Sequence, residues 1–184
     1  MKTWLFNPFT YIAGYRALIF GFIFMTVTLV ISFYSNTHFD GAIDAHIGFQ
    51  TPFSVYIAEQ IIAWGSVVLT CYLVASIISK SAFRFIDLAG TIALSRAPML
   101  LVSIIAFVPV LQNAKPGQIS NTVLLIALVM IIPVIWMITL MFNAFKTSAN
   151  VKGTRAVVGF IAALILAEIL SISLNQIIKP LLIN

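Results

Sequence analysis

The sequence predicts an all-α integral membrane protein, a helical bundle of five transmembrane helices. Three observations carry that prediction. Of 184 residues, 61% are hydrophobic and only 8% are charged, with mean hydropathy +1.10, whereas soluble domains carry about a quarter charged residues. Five apolar stretches meet or approach the roughly twenty residues that a helical span needs, at about 17–34, 53–79, 97–112, 121–142 and 157–178. Between them the basic residues are one-sided. Lys2, Arg16, Lys80, Arg84, Arg96, Lys146, Lys152 and Arg155 fall on one side of a five-span chain, and only Lys115 and Lys179 on the other. Positive residues stay cytoplasmic, so the N-terminus is expected inside and the C-terminus outside.

The same composition excludes other classes. A pI near 9.6 is compatible with nucleic-acid binding, but the cations are dispersed at the ends of apolar runs, where lipid headgroups lie. No nucleic-acid partner is expected, and the bilayer is the first partner. The single cysteine, Cys71, excludes an intramolecular disulfide. Residues 1–184 read as one membrane domain.

The N-terminal segment carries Trp4, Phe6, Phe9, Tyr11 and Tyr15, an aromatic belt for the inner interface. Asn7–Pro8 reads as a helix start. The first apolar run is longer than a signal peptide's core, and no small-x-small site follows it, so it is expected to be retained as a span.

The first outer loop reads HFDGAIDAH. It places His38, Asp40, Asp44 and His46 within nine residues, all of them ligand types for zinc or another divalent cation, although the spacing matches no zinc signature. Otherwise the expectation is a solvated loop and no cofactor.

The second span carries Glu59 about 10 Å below its outer end, at the head of a stripe with Ala63, Ser66 and Thr70. The fifth carries Glu168 at a similar depth, aligned with Ser171, Asn175 and Lys179. Polar stripes on spans face other helices or a wet cavity. An intramembrane acidic site made of Glu59, Glu168, Ser66, Ser171 and Asn175 is therefore expected. The two acids either share an outward cavity or hydrogen-bond separately to neighbouring helices.

Between the second and third spans lies KSAFRFIDLAGTIALSR. On a helix, Arg84, Asp87, Thr91 and Ser95 form one polar stripe, which predicts an amphipathic segment lying in the inner interface before the third span. Gly90 would weaken that helix or bend it, and Ser95 would cap the next one. Lys115–Pro116–Gly117 predicts an outer turn. Pro133 is expected to kink the fourth span. The cytoplasmic connections present Arg84, Asp87, Arg96, Lys146, Lys152 and Arg155 as a candidate docking surface for a protein partner or a second copy.

Enzyme motifs such as HExxH, GxSxG or a phosphate-cradling glycine loop are not found, and a non-enzymatic role is expected. Residues 87–104, DLAGTIALSRAPMLLVSI, and residues 141–170, MFNAFKTSANVKGTRAVVGFIAALILAEIL, resemble the bacterial branch of the Yip domain family, the Ypt/Rab-GTPase-interacting multi-pass membrane proteins. The resemblance implies five spans and a location in a bacterial cytoplasmic membrane. It also implies a role in organising membrane or partner proteins, as in vesicle traffic, with no catalytic residue. The residues leave two other functions open: a small transporter or cation-coupled permease built on Glu59 and Glu168, and an accessory subunit of a larger membrane complex.

Overall fold

A computed structural model of the chain describes residues 2–112 and 120–183. The described elements are α1 (Lys2–Phe6), a 3-10 turn (Pro8–Thr10), α2 (Gly14–Ser35), β1 (Thr37–His38), β2 (His46–Ile47), α3 (Phe53–Ile78), α4 (Phe85–Ser95), α5 (Met99–Ile105), α6 (Pro109–Gln112), α7 (Asn121–Ser148) and α8 (Gly153–Ile183). Among the described residues, five helical segments are long and apolar enough to cross a bilayer: α2, α3, the pair α4–α5 taken as Phe85–Ile105, α7 and α8. The chain is a multi-pass integral membrane protein. Five crossings put the two termini on opposite sides, and the charge rule assigns the N-terminal side to the cytoplasm.

The third span corrects the sequence expectation. It runs over residues 85–105, not 97–112, and KSAFRFIDLAGTIALSR supplies its first half. That half does not lie in the interface. Leu88, Ala89, Gly90, Thr91, Ile92, Ala93 and Ser95 are all buried. The span's apolar window is 67% buried, against at most 44% for the other four, so it is the centre of the bundle. The polar stripe misled because its members are satisfied locally. The Thr91 hydroxyl donates to the Asp87 carbonyl at 2.7 Å and the Ser95 hydroxyl to the Ile92 carbonyl at 2.7 Å. Such back-bonding lets small polar residues enter an apolar core. Ser95 therefore does not cap the following helix.

Gly90 lies inside an α4 that runs unbroken over Phe85–Ser95. A β-carbon there would collide with the Gly14 carbonyl, and one on Gly21 would lie 2.6 Å from the Ala93 backbone. Glycines at both positions let α2 and α4 approach backbone to backbone, the usual solution where lipid offers no hydrophobic drive for association. α4 also packs on α7, and α3 pairs along its length with α8. After Ser95 the helix breaks. Pro98 cannot donate a backbone bond, and residues 96–101 continue through shorter-range bonds such as Met99 N to Arg96 O at 2.9 Å.

The N-terminal segment docks on α7. Trp136 Nε1 donates to the Leu5 carbonyl and Asn143 Nδ2 to the Phe6 carbonyl, both at 2.7 Å. Trp4, Phe6, Tyr11 and Tyr15 are exposed as a belt requires, but Phe9 turns inward and is buried. Pro8 opens only the 3-10 turn, and Asn7 makes no side-chain cap. Pro133 lies inside an α7 that continues unbroken past it. The Lys115–Pro116–Gly117 turn lies outside the described residues.

Candidate functional site

The outer loop is not solvated. It leaves α2 through Asn36, in the left-handed conformation at φ 53°. It then forms a two-residue antiparallel ladder, with Thr37 opposite Ile47 and His38 opposite His46, and tucks residues 38–43 among the helix ends. His38, Phe39, Gly41 and Ala42 are buried. Burying this much loop backbone requires acceptors and donors inside the bundle. The two glutamates and Arg96 supply them.

Glu59, on α3 and 1% exposed, holds the start of the loop. Its Oε1 lies 2.9 Å from His38 Nδ1 and 2.8 Å from Lys179 Nζ, and its Oε2 accepts the Phe39 amide at 3.1 Å. His38 Nε2 lies 3.0 Å from the Phe49 carbonyl. The Tyr56 hydroxyl lies 3.3 Å from the same nitrogen. The ring also stacks on Tyr56 at 4.6 Å. Lys179, on α8, bridges onward to Asp40 Oδ2 at 2.9 Å.

Glu168, on α8, holds the middle of the loop. Its Oε2 accepts the Ile43 amide at 3.1 Å. A β-carbon at position 41 would collide with its Oε1 and lie 2.7 Å from Asp44 Cβ, so a larger residue there would push the carboxyl or the loop aside. Asn175 Nδ2 donates to the Asp40 carbonyl at 2.8 Å. From the opposite side, Arg96 at the break of the third span donates to the Ala42 carbonyl at 3.0 Å. Arg96 is 2% exposed. It is therefore an anchor inside the bundle and not part of a cytoplasmic docking surface. It sits about 16 Å along the span from Phe85.

The expected acidic site is thus partly reassigned. Glu59, Glu168 and Asn175 all bind the same loop, each through different groups, and the carboxylates are occupied by loop amides and cations. Ser66 does not join them: its buried Oγ has no hydrogen-bond partner among the described residues. Ser171 bonds back to the Glu168 carbonyl of its own helix at 3.1 Å.

The expected metal set also divides. Asp40, Asp44 and His46 bring one ligand atom each within 4.8 Å of one another, but His38 is committed to Glu59. The trio behaves as an ion-pair cluster. His46 Nδ1 lies 3.3 Å from Asp40 and 3.8 Å from Asp44. The imidazole beside Asp40, joined by Lys179, holds that carboxyl well below the usual carboxylate range. The two acids in turn push His46 up to about 10. Lys179 supplies positive charge at Asp40 as well.

At the cytoplasmic end the two connecting loops are tied together. Ser79 Oγ donates to the Ala149 carbonyl at 2.8 Å, Asn150 Nδ2 reaches Ser81 Oγ at 3.3 Å, and Thr91 and Ser148 share a hydroxyl contact at 2.9 Å. Arg84 and Asp87 pair through two bonds of 2.8 and 2.9 Å. Lys146, Lys152 and Arg155 are exposed, as expected. Sequence reasoning missed Arg96 and Lys179 as anchors. The signal was present, since an arginine within an apolar run calls for an acid or a carbonyl inside the bundle.

Fold and site together define a multi-pass helical membrane protein with a loop buried in its outer half and a basic, cross-tied inner face. Compared with family models, with curated proteins and with solved structures, the chain gives no match.

Proposed function

We propose that this chain is a non-enzymatic Yip-type protein of a bacterial cytoplasmic membrane that organises membrane or partner proteins through its inner face. One observation carries the reading. The two cytoplasmic connections form a single hydrogen-bonded platform, Ser79 to Ala149 and Asn150 to Ser81, that presents Lys146, Lys152 and Arg155 as exposed cations. None of these three pairs with an acid among the described residues. The resemblance of residues 87–104 and 141–170 to the Yip family supports it, because those stretches supply α4–α5 and the α7–α8 connection on which the platform rests. The permease alternative has less to stand on, since Glu59 and Glu168 already hold loop groups that a transported cation would have to displace.

Site-specific photocrosslinking in native membranes tests the proposal. A crosslinker at Lys146 should give discrete protein adducts, to a partner or a second copy. The same probe at Asp44 on the outer face should not. Purified protein in liposomes should pass protons and cations no faster than empty liposomes. Flux that Glu59→Gln abolishes would overturn the proposal in favour of transport.

A further inference from the structure

The inner platform contains a cavity, and its chemistry names a ligand. A pocket of about 260 Å³ opens between the end of α3 and the start of α8. Lys80, Lys152 and Arg155 line it, with Asn150 as a neutral donor and Val151 on its apolar side. Three exposed cations from two separate chain segments line it together, and none of them has an acidic partner among the described residues. Like charges gathered without a counter-charge repel one another unless an anion sits between them. The pocket's walls are fixed. Ser79 to Ala149 and Asn150 to Ser81 tie its two sides together. Gly159 faces α3 here, with the Ile78 side-chain tip packed where a β-carbon would stand.

Depth selects the anion. The pocket lies at the ends of two spans, just after Ile78 of α3 and at the start of α8, and the inner ends of spans are where the phosphates of anionic lipid are met. Next to it in sequence, Ile77 is 82% and Val158 is 60% exposed, so apolar helix surface continues toward the acyl chains. The start of a 31-residue helix adds partial positive charge on the same side. We infer that the Lys80–Lys152–Arg155 pocket binds the phosphate of an anionic lipid headgroup. The inference rests on the inner-face reading above and gives that face its lipid ligand.

The test uses the full chain in neutral detergent, with short-chain phosphatidylglycerol, phosphatidylcholine and inorganic phosphate as probes, read by native mass spectrometry and by titration. Phosphatidylglycerol should bind well ahead of phosphatidylcholine. Replacing Lys80, Lys152 and Arg155 together by glutamine should weaken it about 100-fold, because each basic residue near the surface contributes about one factor of five. A control with the same loss of charge, Arg16→Gln, Arg84→Gln and Lys146→Gln, should stay within about twofold of wild type, since those residues do not line the pocket. Equal weakening in both triple variants would overturn the inference, because it would mean diffuse charge attraction. Inorganic phosphate binding as tightly as the lipid would overturn the headgroup assignment. Melting without lipid should be unchanged in the pocket variant, which shows that it is folded. Lipid selectivity lost while the Lys146 crosslinks persist would sink this inference and leave the inner-face reading standing.

Discussion

Glu59→Gln should loosen the outer loop. The wild-type carboxylate meets three donors: His38 Nδ1 at 2.9 Å and Lys179 Nζ at 2.8 Å on one oxygen, and the Phe39 amide at 3.1 Å on the other. Glutamine keeps one oxygen and replaces the other by an NH2 group. Whichever way the amide turns, a donor then faces a donor. An unmatched buried donor costs about 1–3 kcal/mol. Removing one member of a buried ion pair costs about 3–5 kcal/mol. Lys179 keeps Asp40 as a counter-charge at 2.9 Å, so the cost falls between those two ranges, about 2–4 kcal/mol for Glu59→Gln. Glu59→Leu leaves no acceptor and should cost about 5 kcal/mol. Unfolding of the purified protein gives the energy. A cysteine at the buried position 42, in a Cys71→Ser background, reports loop release through its labelling rate. A cycle with Lys179→Met should show coupling of about 1 kcal/mol or more. Glu59→Gln within about 0.5 kcal/mol of wild type, with position 42 still protected, would refute the anchoring argument.

Three further outcomes are expected. Since His46 is raised from 6.5 to about 10, its ion pairs contribute stability that is full below about pH 6.5 and fades as pH rises through about 10. Asp40 is depressed, so its share holds above about pH 3.8 and is lost only on strong acidification. His46 is 46% exposed, which limits the alkaline effect to about 1 kcal/mol, and a melting temperature that falls equally with pH in His46→Asn would contradict it. Gly90→Val should lower the folded yield sharply, because its side chain must displace the Gly14 carbonyl, and a normal melting temperature for that variant would break the close-approach account. Cysteines replacing Asp44 or Phe49 should react with an impermeant reagent added outside, and cysteines replacing Ser81 or Thr147 only after permeabilisation. Labelling of Ser81→Cys in sealed cells would invert the topology.

Hydropathy and the placement of lysines and arginines were enough to count the spans, because each must satisfy its own backbone and expose apolar side chains to lipid. They also marked Glu59, Glu168 and Asn175, since a charged or amide side chain in an apolar run must have a reason to be there. What those groups bind was not legible. Their partners are loop amides, Phe39 and Ile43, and every residue carries such an amide, so no residue pattern announces them. The 80–96 segment was misread for a related reason. A stripe of Thr and Ser looks the same in sequence whether it faces water or bonds its own helix, and only the approach of α2 through Gly21 and Gly90 buried it. Arg96 moved from the surface to the core with that segment. Lys80, Lys152 and Arg155 were readable as inner-face charges, but 72 residues separate Lys80 from Lys152. Only the pairing of α3 with α8 sets them around one pocket, since helix packing, not chain distance, decides which charges meet.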